Sequence, residues 1–201
     1  ERALYLPDEA ALLISDVHLG KAETFQRFGI PIPHQVNQAT LNRLKQACDH
    51  TQAKQLFILG DLFHAPASLV DEVIDGWLKF LAETQLDAHL ILGNHDRDLV
   101  DTLSQLSLTC YTDPIELRSW VLSHEPLPMS QGVNVCGHVH PCVWLGGRGD
   151  RLRLPCFYWE AQLQRLTLPS FGEFTGGYTV ALSHATTAYA VAEDQIITLA
   201  A

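Results

Sequence analysis

Histidine, aspartate and asparagine recur in short blocks whose side chains could bind metal ions. The blocks contain Asp16 and His18, Asp61 and His64, Asn94 to Asp96, His124, and His138 and His140. Carboxylate and amide oxygens with imidazole nitrogens, and no thiolate, suit Mn²⁺, iron or Zn²⁺ in sites of five or six ligands. The residue types therefore indicate a site for transition-metal ions.

The elements that would position these blocks alternate between buried strands and helices. We predict strands over 11–15, 55–59 and 88–92, and helices over 35–50, 68–81 and 98–106. The middle helix carries a capping-box pattern from Ser68 to Asp71. Each block follows the carboxyl end of a predicted strand, where loops of such sheets gather, so five loops could converge on one point.

Local spacing within the blocks suggests how the side chains are aimed. Glycines stand at positions 60, 93 and 137, where they can form tight turns before the ligands. The separations Asp16–His18 and His138–His140 predict alternate side chains on the same side of extended segments.

From about residue 108 the pattern changes to short strands separated by turns. They are predicted over 108–111, 116–122, 133–136, 151–158, 162–168, 178–182 and 195–199. Residues 146–150 are glycine-rich, but no helix pattern follows them, so a turn is favoured over a phosphate loop. The chain is interpreted as one domain over 1–201, of the α/β class, with two packed mixed sheets flanked by helices in an αββα sandwich.

Composition narrows the functional classes. The formal net charge of −10 over 201 residues argues against a broad basic surface for nucleic acid. No apolar run approaches the roughly 20 residues that span a bilayer, and the start shows no secretory signal, so no membrane partner is expected. Five cysteines without CxxC spacing indicate free thiols and a reducing cytoplasm.

The five blocks resemble the signature motifs of the calcineurin-like metallophosphoesterases, in that family's order. The matching segments are Asp16-x-His18, Gly60-Asp61-x-x-His64, Gly93-Asn94-His95-Asp96, Ser123-His124 and Gly137-His138-x-His140. The resemblance implies a two-metal hydrolase of phosphate esters whose nucleophile is a hydroxide bridging the two ions. Mn²⁺ is the expected metal, with iron and Zn²⁺ as alternatives.

The resemblance also implies a role for each position. Asp16, His18 and His140 would bind the first metal, Asn94, His124 and His138 the second, and Asp61 would bridge them. His95 would protonate the leaving oxygen, and Asp96 would hold its imidazole in place. His64 would lie behind the metal ligands. Arg27 is a candidate for contact with the substrate.

A narrower resemblance covers much of the remaining chain. Similarity to the bacterial ligase-associated DNA damage response endonucleases is found in the segments Leu19–Glu23, Phe25–Pro33, His124–Pro126, His140–Pro141, Leu154–Phe157 and Leu168–Gly177. That subgroup implies a phosphodiester substrate such as DNA and partners that include a DNA ligase, a helicase and an exonuclease. The acidic net charge is a mild argument against tight autonomous DNA binding.

Alternative functions remain open at this level. A hydrolase of small phosphodiesters or nucleotides is one alternative, and a non-catalytic scaffold of the same fold is another, although every signature position is retained. Few fixed cations lie near the motifs, so a diester is favoured over the more highly charged monoester. Structural roles are expected for His34, His50, His89 and His184, and a solvated face for Arg148, Arg151 and Arg153.

Overall fold

The first sheet carries the strands that were predicted in the first half of the chain. The computed structural model describes residues 1–27, 29–30, 35–147, 149–173 and 175–201. Five strands follow the order β1 Leu4–Leu6, β2 Ala11–Ile14, β3 Gln55–Leu59, β4 Asp87–Ile91 and β5 Thr109–Tyr111. β1 is antiparallel to β2, and β2 to β5 are mutually parallel. The parallel pairing brings the carboxyl ends of β2, β3 and β4 to one edge.

Helices cover one face of this sheet because their apolar residues recur at helical spacing. The helices are α1 Lys21–Arg27, α2 Val36–Thr51, α3 Asp71–Thr84 and α4 Val100–Leu103. Leu44 of α2 and Trp77 of α3 are fully buried in the same apolar cluster as Ile58 of β3. The indole Nε1 of Trp77 also donates a hydrogen bond of 3.0 Å to the carbonyl of Leu106. Among the described residues, no helix is both long and apolar enough to cross a membrane.

The start of α3 differs from the capping box that the sequence predicted. Val70 occupies the N-cap position and makes no side-chain cap. Ser68 belongs to the preceding 3₁₀ turn, where its Oγ bonds to the backbone N–H and carbonyl of Ala65. The Ser68 hydroxyl is thus bonded within the 3₁₀ turn that precedes α3, and it does not cap the helix.

The second sheet is mixed and has nine strands. Its main path runs β12–β9–β10–β11–β8–β7–β6, and β13 pairs with both β10 and β14. The strands are β6 Ile115–Leu117, β7 Trp120–Leu122, β8 Val133–Cys136, β9 Pro141–Gly146, β10 Arg151–Glu160, β11 Arg165–Thr167, β12 Tyr178–Thr179, β13 Thr186–Ala192 and β14 Gln195–Ala200. The two-sheet α/β architecture expected from the sequence is confirmed.

Several elements differ from the sequence prediction. The strand expected over 116–122 is a hairpin of β6 and β7, which turns at Arg118 with a φ of 54°. β1, α1, β9 and β13 were not predicted. β9 and β10 pair antiparallel, with Gly146 opposite Arg151, and Arg148 of the glycine-rich segment lies outside the described residues.

The two sheets pack face to face through a shared apolar layer. Leu13 and Phe57 of the first sheet lie in one apolar cluster with residues of the second sheet and its loops. These are Leu122 of β7, Val135 of β8 and Leu168, which follows β11. His89 is buried beside this layer, with its ring stacked 4.5 Å from that of Phe57 and Nδ1 3.1 Å from the Tyr111 hydroxyl. Its structural role is as expected, while His34 lies outside the described residues.

Candidate metal centre

The loops after β2 and β3 are held side by side beyond the ends of their strands. The N–H of Asp16 donates to the carbonyl of Gly60 at 3.1 Å, and the N–H of His18 donates to the carbonyl of Asp61 at 2.9 Å. Leu19 N–H continues the pattern to the Leu62 carbonyl at 2.8 Å. These bonds fix the two loops against each other, so Asp16, His18 and Asp61 occupy one edge of the sheet.

Ligand candidates from the second sheet are joined to the same edge by hydrogen bonds between the sheets. The backbone N–H of His138 donates to Asp16 Oδ2 at 3.0 Å. His124 Nδ1 bonds to the carbonyl of Leu59 at 2.9 Å. Within the second sheet, the N–H of Gly137 donates to the carbonyl of His124 at 3.0 Å, which holds the loops after β7 and β8 together. Both sheets therefore contribute to one centre, as the sequence predicted.

A first group of candidate ligands consists of Asp16, His18 and His140, whose ligand atoms all lie within 4.8 Å of one another. His140 Nε2 lies 3.0 Å from Asp16 Oδ1. His18 is 6% exposed, and neither of its ring nitrogens has a hydrogen-bond partner among the described residues. A buried imidazole without a partner is costly unless it binds something, and a metal ion would satisfy it.

A second group consists of Asn94, His124 and His138. His124 Nε2 lies 3.0 Å from Asn94 Oδ1 and 3.0 Å from His138 Nδ1. The three side chains thus meet at one nitrogen atom. In donor type, one amide oxygen and two imidazole nitrogens, they match the set expected for a transition metal.

Asp61 lies between the two groups. Its Oδ2 is 3.9 Å from His18 Nε2 and 3.7 Å from His124 Nε2. The side chain is buried, and its other oxygen accepts a hydrogen bond of 3.0 Å from the N–H of His95. A carboxylate in this position can face two ions at once.

Backbone carbonyls orient two of the imidazoles toward the centre. The Nδ1 of His124 faces the carbonyl of Leu59, and the Nδ1 of His140 faces the carbonyl of Gly176 at 3.1 Å. A carbonyl only accepts, so each Nδ1 carries the proton and each Nε2 is directed at the centre. Metal-binding histidines commonly have such an outer partner. Donor types, unpartnered nitrogens and ring orientation all fit divalent transition metals.

The backbone at the ligands is left-handed rather than extended. Values of φ are 52° at Asp16, 51° at His18, 55° at Asp61, 67° at His138 and 52° at His140. The extended segments predicted for the Asp16–His18 and His138–His140 pairs are therefore wrong. Each left-handed non-glycine residue costs about 1–2 kcal/mol, and such residues cluster at functional sites.

Two glycines leave room for the ligands. A Cβ at Gly60, where φ is 82°, would overlap the imidazole of His124. A Cβ at Gly93 would overlap the carboxylate of Asp61. The glycines predicted to form turns thus also allow the ligands to approach the backbone closely.

His95 and His64 form a pair at the mouth of the centre. Their rings stack with centroids 5.2 Å apart, and His95 Nδ1 bonds to the carbonyl of His64 at 2.7 Å. His95 Nε2 lies 4.0 Å from Asp61 Oδ2, and its side chain is 36% exposed. Because Nδ1–H is held by a carbonyl, a second proton at Nε2 makes the ring a cation that can release that proton.

Asp96 has different partners from the one expected. Its Oδ2 accepts from the N–H of Asp61 at 2.6 Å and of Gly93 at 3.0 Å, and its Oδ1 accepts from the N–H of Leu62 at 3.1 Å. The ring of His95 is oriented by the carbonyl of His64 instead. The expected contact from Asp96 to the His95 imidazole is therefore corrected: the fully buried Asp96 organises the loops that carry Asp61 and Asn94.

Burial has the largest effect on the pKa of His18 and of His64. It lowers the pKa of His18 to about 3, with the nearby Lys21 acting in the same direction. It also lowers the pKa of His64 to about 4. Both rings are thus uncharged at neutral pH, the state in which imidazole binds metals.

In the Asp16–His140 pair, in contrast, the pKa of each group shifts against the effect of burial. Burial alone would raise the pKa of Asp16 and lower that of His140, but their mutual hydrogen bond and charges outweigh it. The pKa of Asp16 is lowered and that of His140 is raised. Burial also raises the pKa of Asp96 to about 6, although its backbone hydrogen bonds favour the carboxylate.

The contact of Arg27 with the substrate stays a prediction. Arg27 is exposed at the end of α1 and forms no ion pair within the described part of the chain. Lys21 of the same helix is nearer, since its charge affects both His18 and His64. Sequence reasoning missed Arg2, which lines a pocket that includes His140. Arg153 is exposed, as expected for a solvated face, and lines the same pocket. Both arginines lie 13 residues or more from the five blocks, so the block spacing does not connect them to His140.

Comparisons with known proteins agree with the geometry. Residues 11–147 match the family model described as calcineurin-like phosphoesterase. The crystal structure of the nuclease MPE of Pseudomonas putida is similar, with a TM-score of 0.80, 35% identity, and coverage of 94% of this chain and 88% of that one. A protein of unknown function from Aquifex aeolicus has a TM-score of 0.47 and 20% identity, over 65% of this chain and 78% of that one. No curated protein gives a significant match. The chain belongs to the calcineurin-like phosphoesterases and is a metal-dependent enzyme of that family.

Proposed function

We propose that this enzyme is a dinuclear phosphodiesterase that hydrolyses the phosphodiester bonds of DNA. The observation that carries the proposal is the convergence of six candidate oxygen and nitrogen ligands from both sheets around the buried Asp61 carboxylate. The similarity to a protein described as a nuclease, at 35% identity over 94% of the chain, supports the nucleic-acid substrate.

Two groups of side chains would hold two ions. Asp16, His18 and His140 form one group, Asn94, His124 and His138 the other, and Asp61 faces both. Divalent ions in such sites polarise phosphate oxygens and lower the pKa of water. Mn²⁺ is the proposed metal, because mixed oxygen and nitrogen ligation suits it.

His95 would deliver a proton to the leaving oxygen. Its Nε2 points toward Asp61 from the open side of the centre, while the His64 carbonyl holds Nδ1. Asp96 would act indirectly, by accepting hydrogen bonds from the backbone N–H groups of Asp61 and of Gly93, which precedes Asn94. His64 would position His95 through its carbonyl and its stacked ring.

A diester is the better substrate for this electrostatic environment. Among the described residues, Lys21 is the lysine whose charge lowers the pKa of His18 and of His64, and burial lowers the pKa of Lys21 itself. A monoester carries about one more negative charge near neutral pH and would need further fixed cations. The DNA-repair setting and partners such as a ligase, helicase or exonuclease are proposed from the subgroup resemblance.

Two further proposals concern the whole chain. Residues 1–201 would act as one catalytic domain, since strands from both halves contribute ligands. A reducing cytoplasm is the proposed compartment, because all five cysteines are free thiols.

A substrate panel under matched Mn²⁺ and pH tests the proposal. Single-stranded DNA, duplex DNA, bis-nitrophenyl phosphate and nitrophenyl phosphate are compared, before and after chelation. We expect chelation to abolish turnover, DNA to be cleaved, and the diester to have a higher kcat/KM than the monoester. A monoester value equal to or above the diester value contradicts the phosphodiesterase assignment.

A further inference from the structure

A polar pocket adjoins the metal centre on the side of His140. Its volume is about 220 Å³, and its lining includes Arg2, Arg153, Cys142 and Gly177. Since water occupies roughly 30 Å³ per molecule in the liquid, a phosphate group with several waters would fit. Nothing in the proposed reaction at the metal ions uses this space.

His140 connects the pocket to the centre. Its Nε2 faces Asp16 in the first ligand group, while its Nδ1 bonds to the carbonyl of Gly176, which also lines the pocket. The N–H of Tyr178 donates to the His140 carbonyl at 2.9 Å and fixes the segment that contains both glycines. A ligand in the pocket would therefore lie directly beside a phosphate held at the metals.

The two arginines of the pocket have no carboxylate partner within 4.0 Å in the described part of the chain. Arg2 uses Nη1 to donate to the carbonyls of Ser170 and Gly172, at 3.4 and 3.3 Å. Arg153 Nη2 lies against Gly177, where an added Cβ would approach to 3.1 Å. The acid in the lining, Glu173, is paired through Oε1 with Arg43 Nη1 at 2.7 Å. Arg2 is half-buried and Arg153 is exposed. A guanidinium group without a carboxylate partner gains by binding an anion, and its forked geometry suits phosphate.

The surface beyond the pocket suits an extended ligand. Trp144 of β9 lies opposite Arg153 of β10 in the strand register, so their side chains share a face. Trp144 is 49% exposed. An exposed aromatic ring beside a cation is a surface on which nucleotide bases stack.

We propose that this pocket binds a phosphodiester of the same polynucleotide strand that flanks the bond being cleaved, with Arg2 and Arg153 as its cationic contacts. The inference rests on the proposed function, because it assigns a second contact to the nucleic-acid substrate. The pocket then distinguishes a polynucleotide from a small diester that carries one phosphate.

Oligothymidylates of increasing length, cleaved under Mn²⁺, test the pocket. In the unsubstituted enzyme kcat/KM should rise when the substrate gains the flanking phosphate. Arg153→Gln should lower kcat/KM for the longer substrates about tenfold, the effect of losing one charged hydrogen-bonding contact, and remove the rise. The loss on bis-nitrophenyl phosphate should be much smaller. Arg153→Lys should recover part of the loss, since it keeps the charge without the fork.

Arg151→Gln is the matched control. Arg151 lies two residues away on the same face of β10, carries the same charge, and does not line the pocket. Arg151→Gln should leave the dependence of kcat/KM on substrate length unchanged. Arg2→Gln should resemble Arg153→Gln, and a thermal melt checks that the loss of its two backbone contacts has not unfolded the protein.

Equal losses on oligonucleotides and on bis-nitrophenyl phosphate, or equal effects of Arg151→Gln and Arg153→Gln, would overturn the pocket assignment. If the enzyme hydrolyses bis-nitrophenyl phosphate but no oligonucleotide, the nuclease proposal fails by itself. Binding of a fluorescent oligothymidylate then decides the pocket. Arg153→Gln should reduce the slope of log K against log salt by about 0.7, the contribution of one phosphate contact on a single strand. An unchanged slope contradicts the proposed site.

Discussion

The two groups of candidate metal ligands differ in burial and in charge. Asp16 and His18 of the first group are 0% and 6% exposed, and they lie on one loop, which is hydrogen-bonded to the loop that carries Asp61. Asn94 and His138 of the second group are exposed, whereas its His124 is 4% exposed, and that group contains no carboxylate of its own. Burial and charge together indicate a preorganised first site and a second site that is open to solvent and substrate.

This difference suggests a division of labour. A charged and rigid ligand set binds an ion tightly, while a neutral and exposed set binds more weakly and leaves positions for the substrate. His95 lies on the open side, where a leaving group would depart. Asp61 is the residue that faces both groups. Substitutions of Asp61 and of residues in each group should therefore separate the contributions of the two groups to metal binding.

Asp61→Asn should have the largest effect, because this side chain faces both groups. An amide retains one neutral oxygen in place of two charged ones, so both ions should be weakened. The loss in affinity should exceed the roughly 10–100-fold that changes to residues behind the ligands produce. Elemental analysis with Mn²⁺ titration measures it. Wild-type affinity for either ion would show that Asp61 does not bridge.

His95→Ala should keep the metal content near normal but lower DNA turnover by about 10²–10⁴-fold, the usual contribution of a positioned general acid. The loss should shrink for substrates that release nitrophenolate, which needs little protonation. Comparing the two leaving groups is the measurement. Equal losses would mean that His95 binds phosphate rather than delivering a proton.

Stepwise metal binding tests the contrast between the groups. We expect the ion of the first group to bind at least about tenfold more tightly, a difference of 1.4 kcal/mol. His138→Ala should remove the weaker ion alone, whereas Asp16→Ala should remove the tighter one. Calorimetric titration of Mn²⁺ into metal-free protein resolves the steps. Two equal affinities would remove the proposed division of labour.

The pH dependence of metal affinity should come from His140 and not from His18. Asp16 raises the pKa of His140, so an ion must displace a proton there at any pH below that value. Burial lowers the pKa of His18 to about 3, so that ring is already deprotonated. Affinity should therefore fall as pH decreases through the pKa of His140, by about tenfold per pH unit for one proton, and level off above it. Titrations in buffers of different ionisation enthalpy count the protons. Release of no proton on binding below neutral pH would contradict the assignment.

Asp96→Asn should have the smallest effect on chemistry and a clear one on stability. The amide presents an NH₂ group to backbone donors of Asp61, Leu62 or Gly93, and leaves them unpaired. A cost of about 1–3 kcal/mol in the free energy of unfolding follows. Denaturant unfolding measures it, with the exposed Asp98→Asn as control. An unchanged stability, with altered His95 protonation, would restore the role first expected for Asp96.

Sequence patterns predicted the elements that carry strong local signals. The buried strands β2 to β4 and the helices α2 and α3 follow from runs and periodicity that are visible within a dozen residues. β9 and β13 were missed, since their residues are specified by pairing with β10 across the sheet. For the same reason the pocket arginines, which belong to distant segments, could not be connected to His140.

At the metal centre, sequence-based prediction is limited in the same way for the contacts of individual side chains. Residue types and strand ends were enough to predict that Asp16, Asp61 and His138 would meet. They could not predict that Asp96 would bond to backbone amides, or that the ligand residues would adopt left-handed φ values. Both depend on contacts between loops that are far apart in the chain, which local propensity does not encode.

The bond between His138 N–H and Asp16 joins residues 122 positions apart, and the carbonyl that orients His140 lies 36 residues further along the chain. Such contacts have high contact order, and closing the long loops between them is slow. A growing chain on the ribosome can form β2, β3 and α2 well before any of these contacts exist. Hydrolytic competence is therefore expected among the last properties that the molecule acquires during its synthesis, so incomplete chains should be unable to hydrolyse phosphate esters.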